Sequence, residues 1–372
     1  MPSFDVRISG AGIVGRALAL ALSRLGLRVA LRGSAPATPA ADRRDDIRAY
    51  ALNAASLALL RDLKVWDSLP ADAKTPVYEM RVHGDAAAAV LEFSAWEQRV
   101  GELAVITDAA ALEQQLDEAL RFAPHVSRTD SDVPATLVAH CEGRAAASLK
   151  ALGAGFEHHA YGQRAISARL LASRPHRNVA RQWFGAGAVL ALLPFDRPEL
   201  GRSYSLVWSL ADDRAAELLA ADADAFAKAL EEATGGGAGT LTLASERAAW
   251  PLAFGGAATR CGPGWVLLGD AAHVVHPLAG QGLNLGLADV AALVDVIGQR
   301  EAWRGVGDER LLRRYVRQRA GPTWAMLRIT DGLQRLFADD ATPFRELRNN
   351  GLTLVNRLRP LKRWLTARAL DS

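Results

Sequence analysis

Six residues near the N-terminus, Gly10-Ala11-Gly12-Ile13-Val14-Gly15, have the spacing that lets a backbone close on a diphosphate. The first glycine permits a tight turn, the second lets the main chain approach the phosphates, and the third lets a helix pack on a strand. Free N–H groups and the positive end of the helix dipole then face the anion. A second constellation lies far along the chain. Gly269-Asp270-Ala271-Ala272-His273 runs on to Pro277-Leu278-Ala279-Gly280-Gln281-Gly282-Leu283-Asn284 and Asp289. A carboxylate such as Asp270 can accept hydrogen bonds from ribityl hydroxyls. A glycine-rich loop that opens a helix can bring the helix N-terminus to the pyrimidine edge of a flavin, where negative charge gathers on reduction.

Two details qualify this chemistry. A dinucleotide-binding unit usually carries Asp or Glu at the end of its second strand for the adenosine ribose. Here that strand ends Leu31-Arg32-Gly33-Ser34, with Gly33 where the acid would stand. FAD is therefore expected to bind less tightly than with an acid there, unless Asp45 or Asp46 reaches the ribose. Arg32 fits either the 2′-phosphate of NADP or a solvated strand end. His273 and His276 stand three apart, but no carboxylate pattern accompanies them. They are read as packing and hydrogen-bonding groups, and no metal site is expected.

The elements that must position these residues follow from hydrophobic patterning. Residues 4–32 read as strand, turn, helix and strand, a βαβ unit of about 30 residues. Asp45–Leu63 reads as helix. Short strands are expected near Val77–His83 and Val90–Phe93, then a helix over Asp108–Arg121 capped by Asp108. Ser127–Pro134 reads as loop and Thr136–Ala139 as strand. Between Ala160 and Trp208 short β-like runs recur, at Ala165–Leu171, Ala180–Phe184, Leu190–Leu193 and Ser205–Trp208, which suggests an inserted antiparallel sheet. Asp212–Thr234 reads as one helix, Trp265–Leu268 as a strand, and Gly282–Arg300 as a long helix. The rest reads as helical.

The chain has 372 residues, half of them apolar and 23% charged, which suits two joined globular domains. The cysteines Cys141 and Cys261 are isolated, as in a reducing compartment. No secretion signal and no run of 18 uncharged apolar residues stands out, so no span is expected. The net charge of +3 is uneven: residues 302–372 hold 15 Lys or Arg against 7 Asp or Glu. A basic tail of this kind suits an anionic membrane surface, an acidic partner, nucleic acid or a solvated face.

The segment from Gly269 to Leu287 resembles the Gly-Asp flavin motif of the p-hydroxybenzoate-hydroxylase class of FAD-dependent monooxygenases. In detail the chain is most similar to the ubiquinone-biosynthesis flavin hydroxylase family within it. Other matching pieces are Asp46-Ile47-Arg48, Ala51-Leu52-Asn53 with Ser56, Tyr161-Gly162-Gln163, Arg181-Gln182-Trp183-Phe184, Trp250-Pro251-Leu252 and Val355-Asn356-Arg357-Leu358. The family's Asp-Gly motif after a middle strand is altered: Cys141-Glu142-Gly143 stands there, with the following Ser and Arg positions not clearly filled. Reduction by NAD(P)H is the step this alteration bears on.

The resemblance implies an α/β fold: a Rossmann-type FAD-binding domain, an inserted antiparallel β-sheet substrate domain, and C-terminal helices. The boundaries it suggests are 1–75, 100–160 and 245–330 for the discontinuous FAD domain, 76–99 and 161–244 for the β-rich domain, and 331–372 for the helical tail. It implies cofactor contacts from Gly10, Ala11, Gly12, Val14, Gly15, Arg48, Asp270, Pro277, Gly280, Gln281, Gly282, Leu283 and Asn284. Arg48 would lie near the phosphates, and Gly282, Leu283 and Asn284 would present backbone to the flavin ring. NADH or NADPH would act as transient reductant, and O₂ would react at a flavin C4a-hydroperoxide. No protein nucleophile is needed, and the loop residues Pro277 and Gly282 face the chemistry. The substrate implied is a prenylated phenol or quinone precursor, bound under the middle sheet. The location implied is cytoplasmic, with peripheral contact at the inner membrane face or a biosynthetic complex through the basic tail, and no nucleic acid. Two alternatives stay open. One is another flavin oxidoreductase of the same fold, although the Trp-x-Trp-x-Ile motif of halogenases is absent. The other is a non-catalytic flavin-fold subunit of a quinone-biosynthesis complex, which the altered Glu142-Gly143 site favours.

Overall fold

The computed structural model describes residues 3–33, 46–84, 90–143, 150–185, 187–274 and 281–338. The βαβ unit forms as β1 (Phe4–Ser9), α1 (Ile13–Arg24) and β2 (Val29–Arg32). Then come β3 (Ala49–Leu52), α2 (Ala54–Asp62), β4 (Lys74–Val77), β5 (Glu79–His83), β6 (Val90–Ser94), α3 (Ala95–Gln98), β7 (Ala104–Asp108), α4 (Ala109–Arg121), β8 (Val126–Thr129) and β9 (Ala135–His140). The middle of the chain holds β10 (Phe156–Ala172), β11 (Val179–Gly185), β12 (Ala188–Phe195), β13 (Ser203–Ala211), α5 (Asp212–Ala220), α6 (Ala223–Thr234), β14 (Leu241–Leu243) and β15 (Ala248–Ala257). It closes with β16 (Cys261–Gly262), β17 (Trp265–Leu267), β18 (His273–Val274), α7 (Gln281–Gly298) and α8 (Glu309–Ala338).

Three sheets result. The first runs β16-β17-β9-β1-β2-β8 and is parallel except at its β16 edge. Parallel strands covered by helices are apolar on both faces, and Val6, Ile8, Val29, Leu31, Leu137, Ala139 and Val266 are all buried. The helix α1 packs its Ala/Leu face into the same core as Leu287, Leu293 and Ile297 of α7. The second sheet runs β18-β15-β10-β13-β12-β11-β5-β6 and is largely antiparallel, with β11 and β5 parallel and β14 on the flank of β10. One of its faces packs Ile166, Leu170, Leu206 and Trp208 against Leu218, Phe226 and Leu230 of α5 and α6. The third sheet is β3-β7-β4, and its Ala51, Val77 and Ile106 pack with Ala180, Ala191 and Leu193 of the large sheet.

Several expectations need correction. The helix expected over Asp45–Leu63 is strand β3 followed by the shorter α2. Asn53 divides them: its side chain accepts the Ser56 N–H at 2.9 Å and caps α2. The loop expected over Ser127–Pro134 contains most of the edge strand β8, paired with β2. The helix expected over Asp212–Thr234 is two, because Asp222 caps a new start at Ala223 by accepting the Ala225 N–H at 2.8 Å. Asp108 caps α4 as expected, accepting the Ala111 N–H at 2.8 Å.

Candidate active site

The C-terminal ends of β1, β2, β9 and β17 converge, which is where open parallel sheets bind ligands. Gly10 follows β1 and donates its N–H to the Arg32 carbonyl at 2.9 Å. Cys141 follows β9 and donates to the Ser9 carbonyl at 2.7 Å, and Leu268 follows β17 and donates to the His140 carbonyl at 3.0 Å. The three glycines of the turn have separable roles. A Cβ on Gly10 would sit 2.5 Å from the Cys141 carbonyl, and one on Gly15 would sit 1.9 Å from the Gly10 oxygen. A Cβ on Gly12 would meet no protein atom within 4 Å. Gly12 is also the N-cap of α1 and offers no side-chain cap to the first helical N–H groups. The turn is thus packed shut behind and open in front, with bare donors facing the opening.

That opening is a cavity of about 670 Å³. Gly10, Ala11, Gly12 and Val14 line one part, Asp270, Gly282 and Leu283 another, and residues of the large sheet a third. Asp270 lies in a single 3-10 turn, Gly269–Ala271, and Gly269 takes the left-handed conformation at φ +59°. Gly286 of α7 allows close approach to both α1 and this turn, because a Cβ there would lie 2.7 Å from Val14 Cγ2 and 3.5 Å from the Gly269 Cα. Beneath the turn the buried carboxylate of Asp289 accepts the Gly269 N–H at 3.0 Å, pairs with His273 Nε2 at 2.7 Å and accepts from Arg319 Nε at 2.8 Å. Tyr315 adds a bond from its hydroxyl to the Leu267 carbonyl at 3.0 Å. Helix α8 therefore holds the Gly-Asp turn from behind.

Arg48 lines the cavity, and its guanidinium is held by two carboxylates: Asp46 at 2.7 Å and Glu113 at 3.2 Å. The hydrogen bonds it donates to the Asp46 carboxylate raise the Arg48 pKa, so it stays charged at every working pH. Glu113 also pairs with Arg16 at 3.3 Å, and Arg16 with Asp117 at 2.8 Å. Tyr50 of β3 lines the cavity beside them, its hydroxyl pushed up in pKa by burial.

Asn284, expected to offer backbone to the flavin, spends its side chain elsewhere. Its Oδ1 accepts from the Asn53 N–H at 3.1 Å and the Ser56 hydroxyl at 2.8 Å, and its Nδ2 donates to the Ala51 carbonyl at 2.8 Å. It ties the start of α7 to β3 and α2. Gly15 lies behind the turn. Pro277, Gly280 and His276 lie outside the described residues, as does the side chain of Gln281.

At the end of β2, Arg32 pairs with Asp132 at 3.0 Å and Glu142 at 3.5 Å. Glu142 and Gly143 themselves line the cavity. Gly33 is no vacant ribose position: its φ is +152°, and a Cβ there would lie 2.7 Å from Ala11 Cβ and 2.9 Å from the Ala11 nitrogen. The glycine is required by the closeness of the turn, and an acid could not be installed without moving it.

Tyr50, Glu113, Ser167 and Ser205 also line the cavity and were not singled out in the sequence. Ser167 and Ser205 alternate with core residues along their strands, a signal that becomes readable once the sheet's register is known.

The donor set fits FAD. Backbone N–H groups and Arg48 suit a diphosphate, Asp270 suits ribityl hydroxyls, and Gly282 and Leu283 at the start of α7 suit a flavin ring. The space before Gly12, which a side chain would fill, is where a diphosphate must approach.

Comparison with known proteins agrees. A family profile described as an FAD binding domain matches residues 90–330. The chain is 32% identical to the ubiquinone hydroxylase UbiL of Rhodospirillum rubrum, over 99% of this chain and 90% of that protein. It is 30% identical to the 3-demethoxyubiquinol 3-hydroxylase of Escherichia coli, over 96% of each. In fold it is similar to PqsL, a probable FAD-dependent monooxygenase from Pseudomonas aeruginosa, with a TM-score of 0.75 at 22% identity, covering 94% of this chain and 99% of that one.

Proposed function

The chain belongs to the ubiquinone-biosynthesis flavin hydroxylases, within the p-hydroxybenzoate-hydroxylase class, and from that premise we propose a prenylated phenol or quinone precursor as its substrate. It is an FAD-dependent aromatic monooxygenase that takes electrons from NADH or NADPH. One atom of O₂ enters the ring as a hydroxyl and the other leaves as water. Two electrons come from the nicotinamide and one proton from solvent. Bound FAD supplies the redox chemistry that activates O₂.

The chain's own residues bind, orient and exclude water. Gly10 to Gly15 and the N-terminus of α1 receive the diphosphate, with Arg48 beside it. Asp270 accepts from the ribityl chain. Pro277, Gly280, Gln281, Gly282, Leu283 and Asn284 form the loop and helix start that face the flavin ring. The large sheet roofs the reacting ring and keeps water from it. The division of labour is assigned along the boundaries read from the sequence, 1–75, 100–160 and 245–330 for FAD and 76–99 and 161–244 for substrate, with β15 and β18 lending their strands to the large sheet. The basic segment 331–372, of which residues 339–372 lie outside the described residues, is assigned to peripheral contact with an anionic membrane or a biosynthetic complex. Among the described residues, no helix is long and apolar enough to cross a membrane.

The observation that supports this reading best is the continuity of the cavity from Gly12 past Asp270 to the face of the sheet. The test is flavin content and NAD(P)H-dependent hydroxylation of neutral phenols by the purified protein. A colourless protein, or a flavoprotein that reduces O₂ without ever forming a hydroxylated ring, counts against it.

A further inference from the structure

The large sheet has two faces of opposite character. Ile166, Ala168, Leu206 and Trp208 lie in the core with α5 and α6. The alternate residues of the same strands, Ala165, Ser167, Ser205 and Val207, open into the cavity. In the β10–β13 register Ser167 lies opposite Val207, and Ser205 lies opposite Arg169. The two serines are thus diagonal neighbours on one face, with backbones about 7–8 Å apart.

Both are nearly closed off from solvent, Ser167 at 9% exposure and Ser205 at 2%. Neither hydroxyl has a hydrogen-bond partner among the described residues. Ser203, two residues before Ser205, bonds its hydroxyl to the Glu199 carbonyl at 2.8 Å. The strand thus satisfies a serine where the cavity does not reach. Around the pair the wall is apolar: Ala165, Leu193, Val207, Trp250 and Leu252. The charged residues of the cavity, Arg48, Glu113, Glu142 and Asp270, come from outside the large sheet. Arg169, opposite Ser205 on the same face, does not line the cavity; its Nη2 donates to Asp108 at 3.0 Å and to the Asp46 carbonyl at 2.7 Å.

We propose that Ser167 and Ser205 determine specificity at the substrate end, donating hydrogen bonds to an oxygen substituent of an uncharged aromatic ring that lies along Val207 and Leu193. This rests on the hydroxylase reading and adds the residues that read the ring. A buried hydroxyl left without a partner disfavours a ligand that cannot supply one. The cation on this face, Arg169, is already paired with Asp108 and does not line the cavity, so a ring carboxylate would be desolvated with little compensation.

The test titrates flavin-loaded protein with three probes and follows the flavin absorbance. The probes are 4-methoxyphenol, the oxygen-free 4-ethyltoluene of similar shape, and 4-hydroxybenzoate. Wild type should bind 4-methoxyphenol most tightly and 4-hydroxybenzoate at least about tenfold more weakly, as expected of an uncompensated charge. Ser167→Ala with Ser205→Ala should weaken 4-methoxyphenol by roughly 4- to 100-fold, about 2- to 10-fold per hydroxyl. Affinity for 4-ethyltoluene should stay within about twofold, since no hydrogen bond to it is lost. If the double variant does not hold flavin, Ser167→Ala alone carries the test with its single share of the loss. Tighter binding of 4-hydroxybenzoate, or equal losses for the two neutral probes, overturns the proposal. Hydroxylation that ignores the serines sinks this inference and leaves the hydroxylase reading. Serine-dependent binding without hydroxylation does the reverse.

Discussion

His273 Nε2 lies 2.7 Å from Asp289 Oδ2, and the same oxygen accepts the Gly269 N–H at 3.0 Å. One buried carboxylate on α7 therefore fixes both sides of the turn that presents Asp270. Burial alone would raise the Asp289 carboxyl, yet His273 and Arg319 together hold it below its ordinary value of 3.8.

Replacing Asp289 by Ala should cost about 3–5 kcal/mol of stability, because Arg319 is left buried without its partner. Denaturant unfolding measures this, and a loss under about 1 kcal/mol would show the network to be dispensable. The pH dependence has a definite sign. A carboxylate with a depressed folded pKa contributes stability that is complete above its unfolded value of 3.8. That contribution disappears as pH falls through the lower folded value. Wild type should therefore lose stability on acidification below about pH 4 more steeply than Asp289→Asn.

Gly12→Ala and Gly15→Ala should fail differently. The Gly12 Cβ meets no protein atom, whereas the Gly15 Cβ would lie 1.9 Å from the Gly10 oxygen. Gly12→Ala should keep its melting temperature as apoprotein and lose about tenfold or more in FAD affinity, the equivalent of one hydrogen bond to a charged group. Gly15→Ala should lose roughly 1–3 kcal/mol of stability or more, whether or not FAD is present. The same melting loss in both apoproteins would contradict the division of roles.

Gly33→Glu should weaken FAD binding, not strengthen it. The new Cβ would meet Ala11 at 2.7 Å in a backbone conformation of φ +152°. Titration of apoprotein with FAD decides it, and tighter binding in the variant would mean that the end of β2 relaxes to admit an acid.

Asn284→Ala should destabilise the protein by roughly 2–4 kcal/mol, since it strands the Asn53 N–H and the Ala51 carbonyl in the interior. Both partners sit on β3 or its junction with α2. Hydrogen exchange of residues 49–56 should speed up in the variant. Unchanged protection there would show that β3 is held by β7 alone.

The parts of this fold most legible in the sequence are those where a steric rule leaves few choices. The turn Gly10–Gly15 and the Gly-Asp segment could be read because Gly10 and Gly15 stand where backbone touches backbone, Gly12 where the cavity must stay open, and Gly269 where φ is +59°. Strand β3 was misread because Ala49-Tyr50-Ala51-Leu52 is short and apolar and leads into a true helix. Its identity comes from pairing with β7, some fifty residues away. Gly33 looked like a missing acid because its neighbour Ala11 is close only in three dimensions. Ser167 and Ser205 were silent for a similar reason: alternation shows that a strand has two faces, and register decides which serines share one.

Asp270→Ala should lower the flavin content of the purified protein severalfold while leaving the far-ultraviolet circular dichroism unchanged. Asp270 is exposed at the cavity rather than packed in the core. Full flavin content in this variant would remove Asp270 from the cofactor site.

The most direct test of the whole account is isotopic. The flavin-loaded protein is supplied with NADPH or NADH, a neutral prenylated phenol and labelled O₂, and the product is weighed. The account predicts a hydroxylated ring carrying one labelled oxygen, formed only when flavin, reductant and O₂ are all present. A product whose new oxygen comes from water, or reduced nicotinamide consumed with no hydroxylated product from any neutral phenol, would contradict it.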